Sequence, residues 1–349
     1  MPTLPADPID GRRLCCYPAA MTILGRLGAA LAWLGRNGTQ AVAISMVVGI
    51  AVPPLGALVR PHFADTVVAL LILSFLRVDP QALRAQWQRP RLLIAAASWV
   101  MLAQPVLVLA FVSAIPFGAD GVPTSWQYGL FLALVLHAVA PPIFASPSLA
   151  ALIGLNGAIS LGLLIACTAV TPLTAPALVA LFFGADVTIS PLALGIRLAA
   201  MLAGAALVAA VIRAIAGKPW VEQQRERIDG LSVIALYFFA VALMGDILEN
   251  VIARPFLVVG LIALSFAMSL FLGMLTALVF ARAGWSRALT LGHSAGSRNM
   301  GLMLAAAAGA VPELVWLYVG LAQLPIYLLP LPFKPLLRRL LSKQDGAQT

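Results

Sequence analysis

From Pro255 to Ala281 the chain reads PFLVVGLIALSFAMSLFLGMLTALVFA, 27 residues without a charge between Arg254 and Arg282. At 1.5 Å per residue, a helix of that length reaches about 40 Å, more than the ~30 Å hydrocarbon layer of a bilayer. Runs of this kind recur along the whole sequence. Charged residues make up only 10% and hydrophobic residues 62%, where a soluble domain carries about 25% charged. A soluble fold of 349 residues cannot hide so much apolar surface. No run alternates over roughly ten residues as the strands of a membrane barrel do. The sequence therefore reads as an all-α polytopic membrane protein. Ten transmembrane helices are expected, at 40–59, 62–76, 92–116, 127–152, 158–183, 190–214, 230–248, 254–281, 286–309 and 312–333.

The net charge of +9 invites a nucleic-acid partner, but its distribution argues otherwise. Arg12, Arg13, Arg26 and Arg36 precede the first span. Arg77, Arg84, Arg89 and Arg91 follow the second, and Arg213, Lys218, Arg225 and Arg227 follow the sixth. Arg282 and Arg287 follow the eighth, and Lys334, Arg338, Arg339 and Lys343 lie in the tail. All of these fall on one side of a ten-span topology. The other side has Arg60 and Arg254, while Arg197 and Arg298 lie inside spans. The positive-inside rule puts that side, with both termini, in the cytoplasm, and the asymmetry is explained with no nucleic acid. The chain is expected in a bacterial-type plasma membrane. Residues 1–39 read as a cytoplasmic segment ending in a surface helix over 22–36. The repeats would occupy 40–183 and 190–333, and 334–349 a cytoplasmic tail. Cys15–Cys16 reads as exposed thiols or a lipidation site. Without a Cys/His cluster, a metal site or disulfide framework is not expected.

Two spans are interrupted. Pro141, Pro142 and Pro147 stand mid-span in HAVAPPIFASPS, and proline removes a donor and clashes with the preceding turn. Ser146–Pro147 reads as the N-cap and first turn of a second half-helix. In GHSAGSRNMGL, Gly292, Gly296 and Gly301 alternate with Ser294, Ser297 and Asn299. Those residues favour either an interruption or close helix packing. Each interrupted span precedes a proline-bearing one, with Pro172 and Pro325 at similar offsets. That is a weak repeat of five spans. An odd number per repeat inverts one half relative to the other, and paired broken helices in inverted halves point to a transporter's binding site.

With PPIFASPSLAALIGLNGAISLG running into TAVTPLTAPAL, with GSRNMGLMLA, and with AQPVLVLAF around Gln104, the chain resembles the bile acid:sodium symporter superfamily over about residues 40–335. The resemblance implies a core domain of spans 3–5 and 8–10 with crossing helices 4 and 9, and a panel domain of spans 1, 2, 6 and 7. It also implies secondary transport of an organic anion, often with sodium. Gln104, Ser146, Ser160 and Asn299 match the family. The family's Asn after the span-four Ser is here Pro147, its acidic residue in span nine is Ser294, and its Gln before the Asn is Arg298. A carboxylate is lost and a cation gained at one locus, so sodium is not expected to bind there.

Arg298 either replaces sodium by donating to carbonyls freed at the breaks, or also binds a substrate carboxylate through its bidentate fork. The positive end of the half-helix starting near Ser146 would face the same point. A purely structural arginine is the competing reading. His137 and His293 flank the breaks and are candidates for proton coupling, against ordinary packing. The candidate site thus comprises Arg298, Asn299, Ser294, His293, Ser297, Ser146, Pro147, Ser148, Gln104, His137 and Ser160. A membrane enzyme would need a nucleophile with its base or paired carboxylates mid-span, and no such set exists. A GxxxxGK[ST] loop is also missing. The expected activity is sodium-independent secondary transport of a small or amphipathic organic anion by alternating access, with no cofactor. A sodium-coupled symporter and a membrane scaffold or sensor are the alternatives.

Overall fold

The structure, a computed structural model, describes residues 19–78, 90–113, 125–183, 190–307, 311–330 and 332–334. Cys15–Cys16, most of the tail and the link 79–89 lie outside the described residues. The helices are α1 (Ala19–Arg36), α2 (Gly38–Ala51), α3 (Pro53–Val59), α4 (Phe63–Arg77), α5 (Pro90–Ser98), α6 (Gln104–Ser113), α7 (Ser125–Val139), α8 (Ser146–Leu152) and α9 (Gly157–Phe183). They continue as α10 (Pro191–Ala216), α11 (Lys218–Gln223), α12 (Arg225–Met244), α13 (Ile247–Ala253), α14 (Pro255–Val279), α15 (Trp285–Gly296), α16 (Met300–Ala307), α17 (Glu313–Leu321) and α18 (Gln323–Leu328). Among the described residues there is no strand, and seven helical stretches are long and apolar enough to cross a membrane. The all-α polytopic reading therefore holds at that level.

Two groups of helices form by contact. In one, α12 is the axis, with α1, α2, α3 and α4 packed on it and α10 packed on α4. In the other, α14 lies on α15, and α9 contacts α5, α8 and α15. Leu31 meets Gly230, Gly49 meets Met244, and Gly56 meets Gly245. After the reversal, Phe63 stacks on Phe239 at 5.3 Å, and Arg77 pairs with Asp229 at 2.8 Å. The chain thus runs up α12 and back down it.

That register corrects two expectations. The first reversal is at Val52–Pro53, not near Arg60. Pro53–Pro54 opens α3, and the residue before a proline is pushed out of the helical region; Val52 has φ −127° and ψ 70°. Arg60 and Pro61 sit instead in one 3₁₀ turn between α3 and α4. The second concerns the boundary expected between the helix at 22–36 and the span starting at 40. Asn37 N–H donates to Trp33 O and Ala41 N–H to Asn37 O, both at 3.1 Å, so α1 continues into α2. Its Arg36 pairs with Glu226, and α1 packs along α12 rather than standing apart.

At the end of α12 away from the arginine-rich links, the groups are held together by side chains. Trp316 of α17 meets Phe63 edge-on at 5.1 Å and carries the Arg60 guanidinium 4.3 Å above its ring. Arg60 also pairs with Asp246 at 2.7 Å, so Asp246 has a charged partner there.

Candidate functional site: the crossing of two broken helices

Proline forces the first interruption. Helix α7 ends at Val139, residues 140–145 are not helical, and α8 starts at Ser146. The second interruption is short, at 297–299 between α15 and α16. Backbone groups that lose helical partners must find others, and here each break supplies the other's. Ile143 N–H donates to Ser297 O at 2.8 Å, and Asn299 N–H donates to Pro141 O at 2.7 Å. The result is one antiparallel bridge between Pro142 and Arg298. Asn299 Oδ1 accepts from Leu302 N–H at 3.1 Å, which caps the start of α16.

Arg298 is 1% exposed. Its Nη1 donates to Ala140 O at 2.7 Å and, more weakly, to Val100 O at 3.4 Å. Its Nη2 reaches Val100 O at 3.4 Å and donates to Gln104 Oε1. All three acceptors are neutral oxygens with local reasons to be available. Ala140 O lies just past the C-terminal end of α7, where carbonyls lack intrahelical partners and carry partial negative charge. Residues Trp99–Ala103 form a π turn, with Gln104 N–H donating to Trp99 O, five residues back. The next donor in that register would belong to residue 105, which is proline and has none. Val100 O is thereby left for the guanidinium. Gln104 is held in turn, because its Nε2 donates to Leu272 O at 2.7 Å and to Thr276 Oγ1 at 3.1 Å. Trp99 Nε1 donates to the same Thr276 oxygen at 3.2 Å. Of the three guanidinium nitrogens of Arg298, Nε is the one without a partner.

A second buried cluster consists of hydroxyls. Ser160 Oγ lies 3.2 Å from Ser146 Oγ and 2.7 Å from Ser294 Oγ, and Ser294 donates to Thr290 O at 3.0 Å. The three serines are fully buried and come from α8, α9 and α15. Their hydrogen-bonding capacity is turned on one another. Ser146 therefore does not act as an N-cap. No side chain caps α8, whose first turn is closed by Ser146 N–H donating to Ile143 O at 2.9 Å. Helix α8 has only 7 residues, so its dipole is small.

The remaining predicted residues divide. Pro147 is half-buried in the first turn of α8, and Ser148 is exposed and outside both clusters. Its position two residues past Ser146 turns it to another face of the helix. His137 Nδ1 lies 3.0 Å from the Tyr318 hydroxyl, and its Nε2 is buried without a partner. His293 and Ser297 line an apolar cavity of about 130 Å³ with Ser269, Met274, Leu289 and Phe333, and His293 Nε2 has no partner. Both readings of the glycines apply to different residues. Gly292 and Gly296 lie within α15 and bring it against α14, whereas the interruption falls on Ser297–Asn299. Sequence reasoning missed Trp99, Val100, Thr276, Thr290 and Tyr318. Only Pro105 beside Gln104 signalled a freed carbonyl. A comparison with protein-family models and with curated proteins finds no match to this chain.

Proposed function

We propose that the chain is a secondary transporter of a small or amphipathic organic anion, working without sodium. The carrying observation is the crossing of two interrupted helices at a buried guanidinium, which gathers Ala140 O of the first break and Val100 O of the π turn. Interrupted helices that expose backbone groups are tolerated at membrane depth only inside protein or along a cavity, and transporters use them as binding centres. In this reading the ten crossings are the seven long helical stretches plus the pieced ones at 19–51, 125–152 and 285–307. The halves are inverted repeats, and the two packing groups are the panel and core of the resembling family.

Mid-membrane charge costs roughly 2.5–3.5 kcal/mol on insertion scales, so a cation kept there requires a return. Arg298 supplies what a bound cation supplies elsewhere, namely positive charge that draws carbonyl dipoles from the π turn after α5 and from the residue just past α7 to one point. The hydroxyl cluster, with Ser294 in place of a carboxylate, offers oxygens but no charge. The Trp316–Arg60–Phe63 contacts join the groups at one end of α12, which fits one state of an alternating-access cycle. Substrate reaches Arg298 only after the groups shift, because in this state the guanidinium is buried.

The test is counterflow in proteoliposomes, with a panel of aliphatic carboxylates, arylsulfonates and steroid carboxylates. Protein-dependent exchange of at least one anion supports transport. Its absence across the panel, with intact binding of the same anions, would favour a scaffold or sensor. Dependence of the exchange on a pH gradient would assign the coupling to protons.

A further inference from the structure

Where the ends of α4, α10, α11 and α12 meet the start of α9 there is a second cavity, of about 390 Å³. Arg77, Arg213, Lys218 and Arg225 line it, against one lining carboxylate, Glu222. Part of this charge is committed. Arg77 pairs with Asp229, and Lys218 lies 3.8 Å from Glu222. Arg213 Nη2 caps the end of α4 by donating to Leu76 O and, at 2.7 Å, to Val78 O. The lining remains net positive after those pairs. Its walls belong to both packing groups, because Leu161 of α9 closes it on one side, one residue beyond Ser160 of the hydroxyl cluster. Its other walls are apolar at Leu76, Val221 and Ile228. An aromatic pair joins the chamber's wall to the crossing. Phe75, next to the lining residue Leu76, meets Phe144 of the first break edge-on at 5.6 Å and 83°.

We propose that this chamber is a binding station for an organic anion with an apolar body, and that Phe75 and Phe144 form the gate between it and the crossing of the broken helices. The proposal rests on the transporter reading above and adds where the anion waits. A low-dielectric chamber lined by one sign of charge concentrates ions of the other sign. Its apolar walls hold the body of the ligand, and parting of an edge-on aromatic pair needs only side-chain rotation. The chamber lies at the arginine-rich end, opposite the end where Trp316 packs.

The experiment uses the full chain in detergent, with Cys15, Cys16 and Cys167 replaced and a single reporter, Leu161→Cys. Val221→Cys is the second reporter should the first fail to fold. An anionic sulfonatoethyl thiosulfonate is expected to label the reporter on the order of tenfold faster, relative to its cationic trimethylammonium counterpart, than it labels a free thiol. Lys218→Gln with Arg225→Gln is expected to remove most of that preference. Naphthalenesulfonate should slow labelling at least about threefold, and naphthyltrimethylammonium should not. Phe75→Ala should extend anionic labelling to a cysteine at Ile143, beyond the gate. Labelling indifferent to reagent charge, or a preference unchanged in the double variant, would overturn the proposal. Protection by naphthalenesulfonate without any anion exchange in proteoliposomes would sustain the station and sink transport. Exchange with charge-indifferent labelling would do the reverse.

Discussion

Arg298 and Ser160 are the two hubs of the crossing, and their substitutions should separate. Arg298→Met strips a donor from Ala140 O, Val100 O and Gln104 Oε1 together. Each buried acceptor left alone costs about 1–3 kcal/mol, while the cost of burying the charge itself disappears. A net destabilisation on the order of 2–5 kcal/mol is expected, read as a lower melting temperature in detergent. An ammonium is a point charge without the planar fork, so Arg298→Lys should recover only part of the loss. Unchanged melting of either variant would contradict the assigned contacts. Among the serines, Ser160 touches both neighbours and Ser146 only one. Ser160→Ala should therefore cost about 1–3 kcal/mol and Ser146→Ala about half that. Arg298 stood out in the sequence because a guanidinium inside an apolar span is costly to bury, whereas Gln104 and Ser160 entered only through the family resemblance. Sequence reasoning missed Val100 and Thr276, since a main-chain carbonyl and a lone threonine carry no local mark. Only the π turn ahead of Pro105 makes that carbonyl available.

Close approach of elements makes its own tests. A Cβ at Gly296 of α15 would lie 2.5 Å from Ser269 O of α14, whereas one at Gly260, also on α14, would meet nothing within 4 Å. Gly296→Ala should force α14 and α15 apart and cost about 1–3 kcal/mol. Gly260→Ala should be neutral or stabilise by up to about 1 kcal/mol. The same thermal melts compare them, and equal shifts would undo the packing account. Asn299→Ala, which uncaps α16, should cost about 1 kcal/mol. The first break was legible because three prolines in seven residues leave no helical alternative. The first reversal was misread because Arg60 looks like a membrane boundary when taken locally. Its charge is instead met by Asp246 and Trp316, residues 186 and 256 positions away in sequence, which no local reading connects to it. The length of α1–α2 was likewise hidden by Arg26 and Arg36, whose charges do not stop a helix that packs on α12.

For the whole molecule, apolar run length and charge asymmetry suffice for an all-α membrane architecture, and tertiary contact decides how the pieces group. The aromatic and ion-pair contacts around Trp316 and the basic chamber at the opposite end give the molecule a polarity that composition does not reveal. In the proposed transporter, Arg298 permanently fills the role a bound cation would play. Restoring the family-like pair by Arg298→Gln with Ser294→Glu should recreate a cation requirement, seen as exchange that rises with sodium only in the double variant. The most direct measurement is anion exchange by the unaltered chain in proteoliposomes, with sodium replaced entirely by potassium on both sides. Equal rates in the two salts are expected. Exchange that stops without sodium would contradict that role of Arg298.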